Sequence, residues 1–151
     1  MSSYKGTAVR LLKCFCGCQD MTVEEVQRIY YLTLQATLID RPALKLFKSY
    51  LERNRRGDKS LAEQYIEVYE LCGEYMKPHV GVITLDELDE LVDLGLPRDL
   101  EKELTEQIKT GDGHKITRCL LRVQGTLRNA IEESEEYKGY RDALAEKLNL
   151  L

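Results

Sequence analysis

What this sequence lacks narrows its class before any motif is considered. No apolar run approaches the roughly 18 residues that a membrane-spanning helix needs, and no signal-peptide core ending in small residues opens the chain. A cytoplasmic protein is the expectation. Histidine occurs only as His79 and His114, both beside breaks in the chain, so a cysteine nucleophile has little choice of base. There is no Gly-rich phosphate loop, no G-x-S-x-G and no H-E-x-x-H. Excess charge of one sign is missing too. The 26 acidic and 22 basic residues are interspersed and leave a net charge of −4, which gives no general attraction to nucleic acid or to an acidic membrane. Sustained strand alternation, internal repeats and low-complexity segments are absent, so the chain reads as all α and not as a solenoid. The five cysteines are an odd number, and three crowd into Cys14, Cys16 and Cys18, which argues against a secreted disulfide framework.

What is present is helical periodicity. With 151 residues and 43% hydrophobic content the chain can bury one sizeable core. Ser60–Lys77 is the expected centre. Ser60 and Glu63 form a capping box, and Leu61, Tyr65, Val68, Tyr69, Cys72, Tyr75 and Met76 make an apolar stripe that Ala62, Ile66 and Leu71 widen. Before it, Thr22 and Glu25 open a helix carried by Val26, Ile29, Leu34 and Leu38. Asp40-Arg41-Pro42 ends that helix and starts the next, with Ala43, Leu44, Phe47, Tyr50 and Leu51 on one face. The charged turn 52–59, including Arg56-Gly57-Asp58, reads as a solvated loop. After the central helix, Thr84 and Glu87 open a third capping box. The carboxylates Asp86, Asp89, Glu90 and Asp93 then read as a solvated face, since an EF-hand needs alternating ligands around a glycine turn. Leu100, Leu104 and Ile108 mark the next helix. A long one runs from His114 to about Glu136, and Tyr137, Tyr140, Leu144 and Leu148 describe the last.

The N-terminal stretch Tyr4–Cys18 is expected to be a short helix with Val9, Leu12 and Phe15 on one side. It sets residues 1–21 apart from a helical domain at 22–151. Cys14, Cys16 and Cys18 beside basic and apolar residues are lipidation candidates, which would add peripheral membrane contact. The bland alternative is a docked helix with free thiols. A zinc site is not expected, because C-x-C-x-C lacks the usual ligand spacing; no metal and no cofactor are implied, and the protein is expected to be a monomer.

The order of motifs resembles the RGS (regulator of G-protein signalling) family. Glu24-Glu25-Val26-Gln27-Arg28-Ile29 and then Phe47-Lys48-Ser49-Tyr50-Leu51 look like its entry helix and its F-x-x-F-L motif. Tyr69–Tyr75, reading YELCGEY, is similar to the long helix that ends in C-E-E-Y. Val123-Gln124 with Asn129 and Ile131-Glu132, followed by Tyr137 and Tyr140, looks like the A-Q-x-x-x-x-N-x-M-E segment and its S-Y-x-x-F continuation. The resemblance spans about residues 22 to 148. It implies an all-α bundle with a second, smaller subdomain formed by the two termini.

It also implies a partner. RGS domains hold the switch segments of a Gα subunit in their transition-state shape, while Gα's own residues do the chemistry. The family's E-N pair falls near Gln64 and Tyr65, and its V-N-L segment reads Leu94-Gly95-Leu96. Its D-S-Y-x-R region reads Ser134 to Gly139, with Ser134 for the aspartate and Lys138 or Gly139 for the arginine. The implied Gα-facing set is therefore Gln64, Tyr65, Gly95, Ser134, Tyr137, Lys138 and Gly139. With glycine at two of the family's polar positions, GTPase activation is expected to be weak or lost, and restoring Asn at 95 and Arg at 139 is expected to strengthen Gα binding. A scaffold without GTPase activation is the alternative, and a small helical enzyme the third reading.

Overall fold

The computed structural model of the protein describes residues 11–15, 17 and 20–150. It is 72% helix, with eight helices and one small two-stranded sheet among the described residues. The chain forms two compact units. One holds the chain up to Arg56 together with the stretch from Glu135 on; the other is Gly57–Ser134.

The first unit opens with a departure from the expected all-α chain. Leu11–Lys13 is a strand (β1) paired antiparallel with Asp20–Thr22 (β2), so that Leu11 faces Thr22, Leu12 faces Met21 and Lys13 faces Asp20. Gly17 sits at φ 74°, a left-handed conformation that glycine adopts without steric cost, and its N–H donates to the Cys14 carbonyl. That turn defeats the helical spacing of Leu12 and Phe15. A salt bridge of 2.8 Å from Lys13 to Asp20 closes the ladder beside it. The remainder of the expected Tyr4–Cys18 helix lies outside the described residues.

Thr22 then caps α1 (Val23–Tyr30), its hydroxyl accepting the Glu25 N–H. The Glu25 carboxylate does not complete a capping box; it pairs with Arg28 instead. The single helix expected as far as Leu38 is in fact two. Tyr31 and Leu32 close α1, and the Thr33 hydroxyl accepts the Ala36 N–H to start α2 (Leu34–Ile39). A local side-chain cap thus overrides a continuous apolar period. Pro42 sits in the first turn of α3 (Arg41–Arg53), as the sequence indicates, and the Asp40 side chain caps that helix by accepting the Ala43 N–H. The unit is completed by α8 (Glu135–Lys147), whose Arg141 donates to the Tyr30 carbonyl and lies 4.1 Å over the Tyr30 ring. Val26, Ile29, Leu34, Leu38, Phe47, Tyr140 and Leu144 are buried.

The second unit contains α4 (Leu61–Tyr75), α5 (Leu85–Leu94), α6 (Arg98–Thr110) and α7 (Gly113–Glu132). Both expected capping boxes are complete, Ser60 with Glu63 and Thr84 with Glu87. Left-handed glycines end α5 and α6, at φ 112° for Gly95 and 68° for Gly111. The core gathers Val68 and Cys72 of α4 with Leu88, Leu91, Leu104, Leu120 and Val123. Two members of the expected α4 stripe lie elsewhere. Leu61 is 56% exposed, and Tyr69 is only half-buried. The long C-terminal helix stops at Glu132, short of Glu136, where Ser134 folds back to donate to the Ile131 carbonyl at 2.6 Å.

Candidate functional site

Within the unit Gly57–Ser134 the helices run antiparallel, and side-chain pairs fix their register. Gln124 of α7 donates its Nε2 to the Tyr69 carbonyl of α4 at 2.9 Å, while Gly113, at the other end of α7, lies against Val82 beyond the end of α4. The start of α4 and the end of α7 therefore share one end of the unit. Tyr75, the last residue of α4, donates to Glu90 of α5 at 2.7 Å, so the end of α5 returns to that same place. Gln64, Tyr65, Gly95 and Ser134 thus lie at one end of this unit.

Gln64 and Gly95 are in direct contact. A β-carbon built on Gly95 would come within 2.5 Å of Gln64 Oε1 and 3.2 Å of Gln64 Cβ. Gln64 is held there by its own hydrogen bond, Nε2 donating to the Lys59 carbonyl at 3.2 Å, and Lys59 in turn pairs with Glu67 one turn further on. Glycine at position 95 is thus a packing requirement, set by a positive φ and by a neighbouring side chain. Tyr65 is half-buried against the core of the unit. Exposed Leu61 stands in the first turn of α4 at this same end. Sequence reasoning placed it inside, because its spacing fits the stripe; only its position at the helix start marks it as a candidate contact.

The other three residues of the expected set belong to the first unit. Tyr137 is not a surface group. Its ring packs edge-on against Phe47 with centroids 5.6 Å apart, and it is buried. Gly139 lies inside α8, and the Tyr50 hydroxyl occupies the space that a β-carbon would need. Lys138 alone is exposed, 3.6 Å from Glu135. Putting arginine at 139 would displace Tyr50, and putting asparagine at 95 would displace Gln64, so the expected double restoration meets packed side chains at both positions.

Of the lipidation candidates, Cys14 is buried, and Cys16 and Cys18 lie outside the described residues. Cys72 and Cys119 are fully buried. Burial pushes the Cys72 thiol up to about 12, which leaves it protonated and unreactive. Among the described residues no three histidine, cysteine or acidic side chains are grouped as metal ligands. No helix among them is long and apolar enough to cross a membrane. No family model, no curated protein and no solved structure matches this chain.

Proposed function

We propose that this chain is an RGS-like helical domain that binds a Gα subunit through one end of the unit Gly57–Ser134 and accelerates GTP hydrolysis weakly or not at all. The observation that carries this reading is the convergence of Gln64 and Tyr65, Gly95, and Ser134 at that end. These come from three separate segments, each of which resembles a Gα-facing segment of the family. A switch clamp needs polar groups aimed at the partner, because it acts by holding charge and shape in place. Here Gln64 spends its amide on Lys59, Gly95 offers no side chain, and Ser134 bonds to its own helix. The convergence of these segments supports binding, and the engagement of Gln64 and Ser134 within the fold supports weak rate enhancement.

The test is capture by immobilised Gα loaded with GDP and aluminium fluoride, alongside single-turnover GTP hydrolysis. Capture with acceleration below about tenfold, a barrier change under about 1.4 kcal/mol, supports the proposal. Equal capture of every nucleotide state would point to a scaffold. Absence of capture by any Gα would sink the reading.

A further inference from the structure

In the unit Gly57–Ser134, α4 packs on α5 and α7, and α6 packs on the same two, so α5 and α7 stand at opposite corners. Their outer faces carry opposite charge. α5 has five carboxylates and no cation, whereas α7 has four Lys and Arg and a single carboxylate, Glu132. The spacing is the same on both. Exposed Asp86, Asp89 and Asp93 follow one another at three and then four residues, and so do exposed Lys115, Arg118 and Arg122, which makes each set one strip on its helix. An exposed leucine borders each strip, Leu85 on α5 and Leu121 on α7.

The charges at the middle of each strip are unpaired in the fold. Arg118, Asp86, Asp89 and Asp93 make no ion pair among the described residues. Around them, Lys115 lies near Asp112, the cap of α7, Arg122 reaches Glu103 only at 3.9 Å, and Lys109 of α6 borders Asp86 across a shallow groove without pairing with it. The two strips also lie at one level. A β-carbon on Gly113 would stand 3.5 Å from Val82, which ties the start of α7 to the start of α5. The Gln124–Tyr69 bond sets Arg118 about level with Tyr75, and the Tyr75 hydroxyl ends on Glu90, next to Asp89. Both helices run antiparallel to α4 and hence parallel to each other.

We propose that the chain associates head to tail with a second copy of itself, with Lys115, Arg118 and Arg122 on α7 of one copy lying along Asp86, Asp89 and Asp93 on α5 of the next. A sideways shift, without sliding along the helix axes, brings the two opposite corners together. The shared level and direction then set Lys115 against Asp86, Arg118 against Asp89 and Arg122 against Asp93. Charge selects this occupant. A unit with 9 Lys and Arg against 17 Asp and Glu repels an extended polyanion, whereas α5 of the next copy offers carboxylates at the strip's own spacing. Exposed ion pairs are individually weak, so association is expected only at about 0.1 to 1 mM and should be lost in salt. The interface is heterologous, which leaves one strip open at each end of a row of copies. It shares no residue with the proposed Gα-binding end.

The experiment is sedimentation velocity of the full chain from about 0.01 to 1 mM, in salt of about 50 and about 500 mM. The weight-average coefficient should rise with concentration in low salt and return to the monomer value in high salt. Arg118→Glu and Asp89→Arg change exposed positions, so each variant should keep its helical far-UV spectrum and stay monomeric. An equimolar mixture of the two should associate again, because the altered strip of each variant then meets an opposite charge on the other. No rise in low salt up to about 1 mM would overturn the proposal, as would association that survives high salt or either substitution. A mixture that stays monomeric would overturn the pairing of these two strips. Arg118-dependent binding to phosphatidylserine vesicles by a chain that does not self-associate would show a lipid surface as the occupant and end the proposal.

Discussion

Gln64 packs directly on the backbone of Gly95, with its Oε1 only 2.5 Å from where a β-carbon at 95 would stand. Two penalties therefore meet at one residue: a φ of 112° that L side chains rarely adopt, and a filled neighbouring volume. Gly95→Ala should cost about 1 to 3 kcal/mol in urea denaturation. In a Gln64→Ala background the steric part disappears and only the backbone part remains, so the cost should shrink. An identical cost in both backgrounds would show that Gln64 is not what excludes a side chain there.

Gly139 makes the same point in the middle of a helix, where the sign of the effect is less obvious. Replacing a helix-interior glycine by alanine ordinarily stabilises by about 0.5 to 1 kcal/mol. At 139 the Tyr50 hydroxyl stands where the methyl would go, and overpacking costs about 1 to 3 kcal/mol, so the net result should be destabilising. Tyr50→Phe removes the nearest atom, and in that background Gly139→Ala should become neutral or stabilising. A double-mutant cycle with no coupling between the two positions would refute the contact.

Tyr140 is 1% exposed, and its hydroxyl has no hydrogen-bond partner among the described residues. Its ring lies among Phe15, Phe47, Tyr50 and Tyr137, an environment that solvates hydrocarbon and not oxygen. Leaving the hydrogen bond of such a buried group unmade costs about 1 to 3 kcal/mol. Tyr140→Phe should therefore hold or raise the thermal midpoint. A loss above about 1 kcal/mol would reveal a partner for the hydroxyl.

Local chemistry was the legible part of this fold. Capping at Ser60, Thr84 and Thr22 could be read directly, because each is a contact between residues two or three apart, and so could the proline start of α3, whereas the cap from Asp40 emerged only in the fold. The N-terminal strand pair was missed because β1 is three residues long and its stability comes from pairing with β2, which no local period records. The break at Thr33 was missed because a threonine within an apolar stripe reads equally well as interior or as a cap. Site residues were harder. The sequence shows that Gly95 and Gly139 lack side chains, but not that Gln64 and Tyr50 occupy the vacated space. Tyr137 looked like surface because the motif put it there, whereas three-dimensional packing on Phe47 puts it inside.

Asp40 ties acid stability to the junction of α2 and α3. The Arg28 guanidinium hydrogen-bonds its carboxylate at 2.8 and 3.2 Å and the Ala43 N–H donates at 3.0 Å, and together these hold the carboxyl below its ordinary value of 3.8. A depressed carboxylate pKa contributes stability that is present above the unfolded value and is lost as pH falls through the folded one. The window is therefore below about pH 4. Asp112, held low by the Lys115 and His114 N–H groups at the start of α7, adds to the loss in the same window. Asp40→Asn separates charge from cap, because asparagine caps a helix about as well as aspartate but does not titrate. At pH 7 the Asp40→Asn chain should melt below the parent, since its pairing with Arg28 is no longer ionic. As pH falls below about 4 the parent should lose its advantage and the two midpoints should converge. A gap between the two melting curves that stays constant down to about pH 2 would mean that the Arg28–Asp40 pair contributes nothing that protonation can remove.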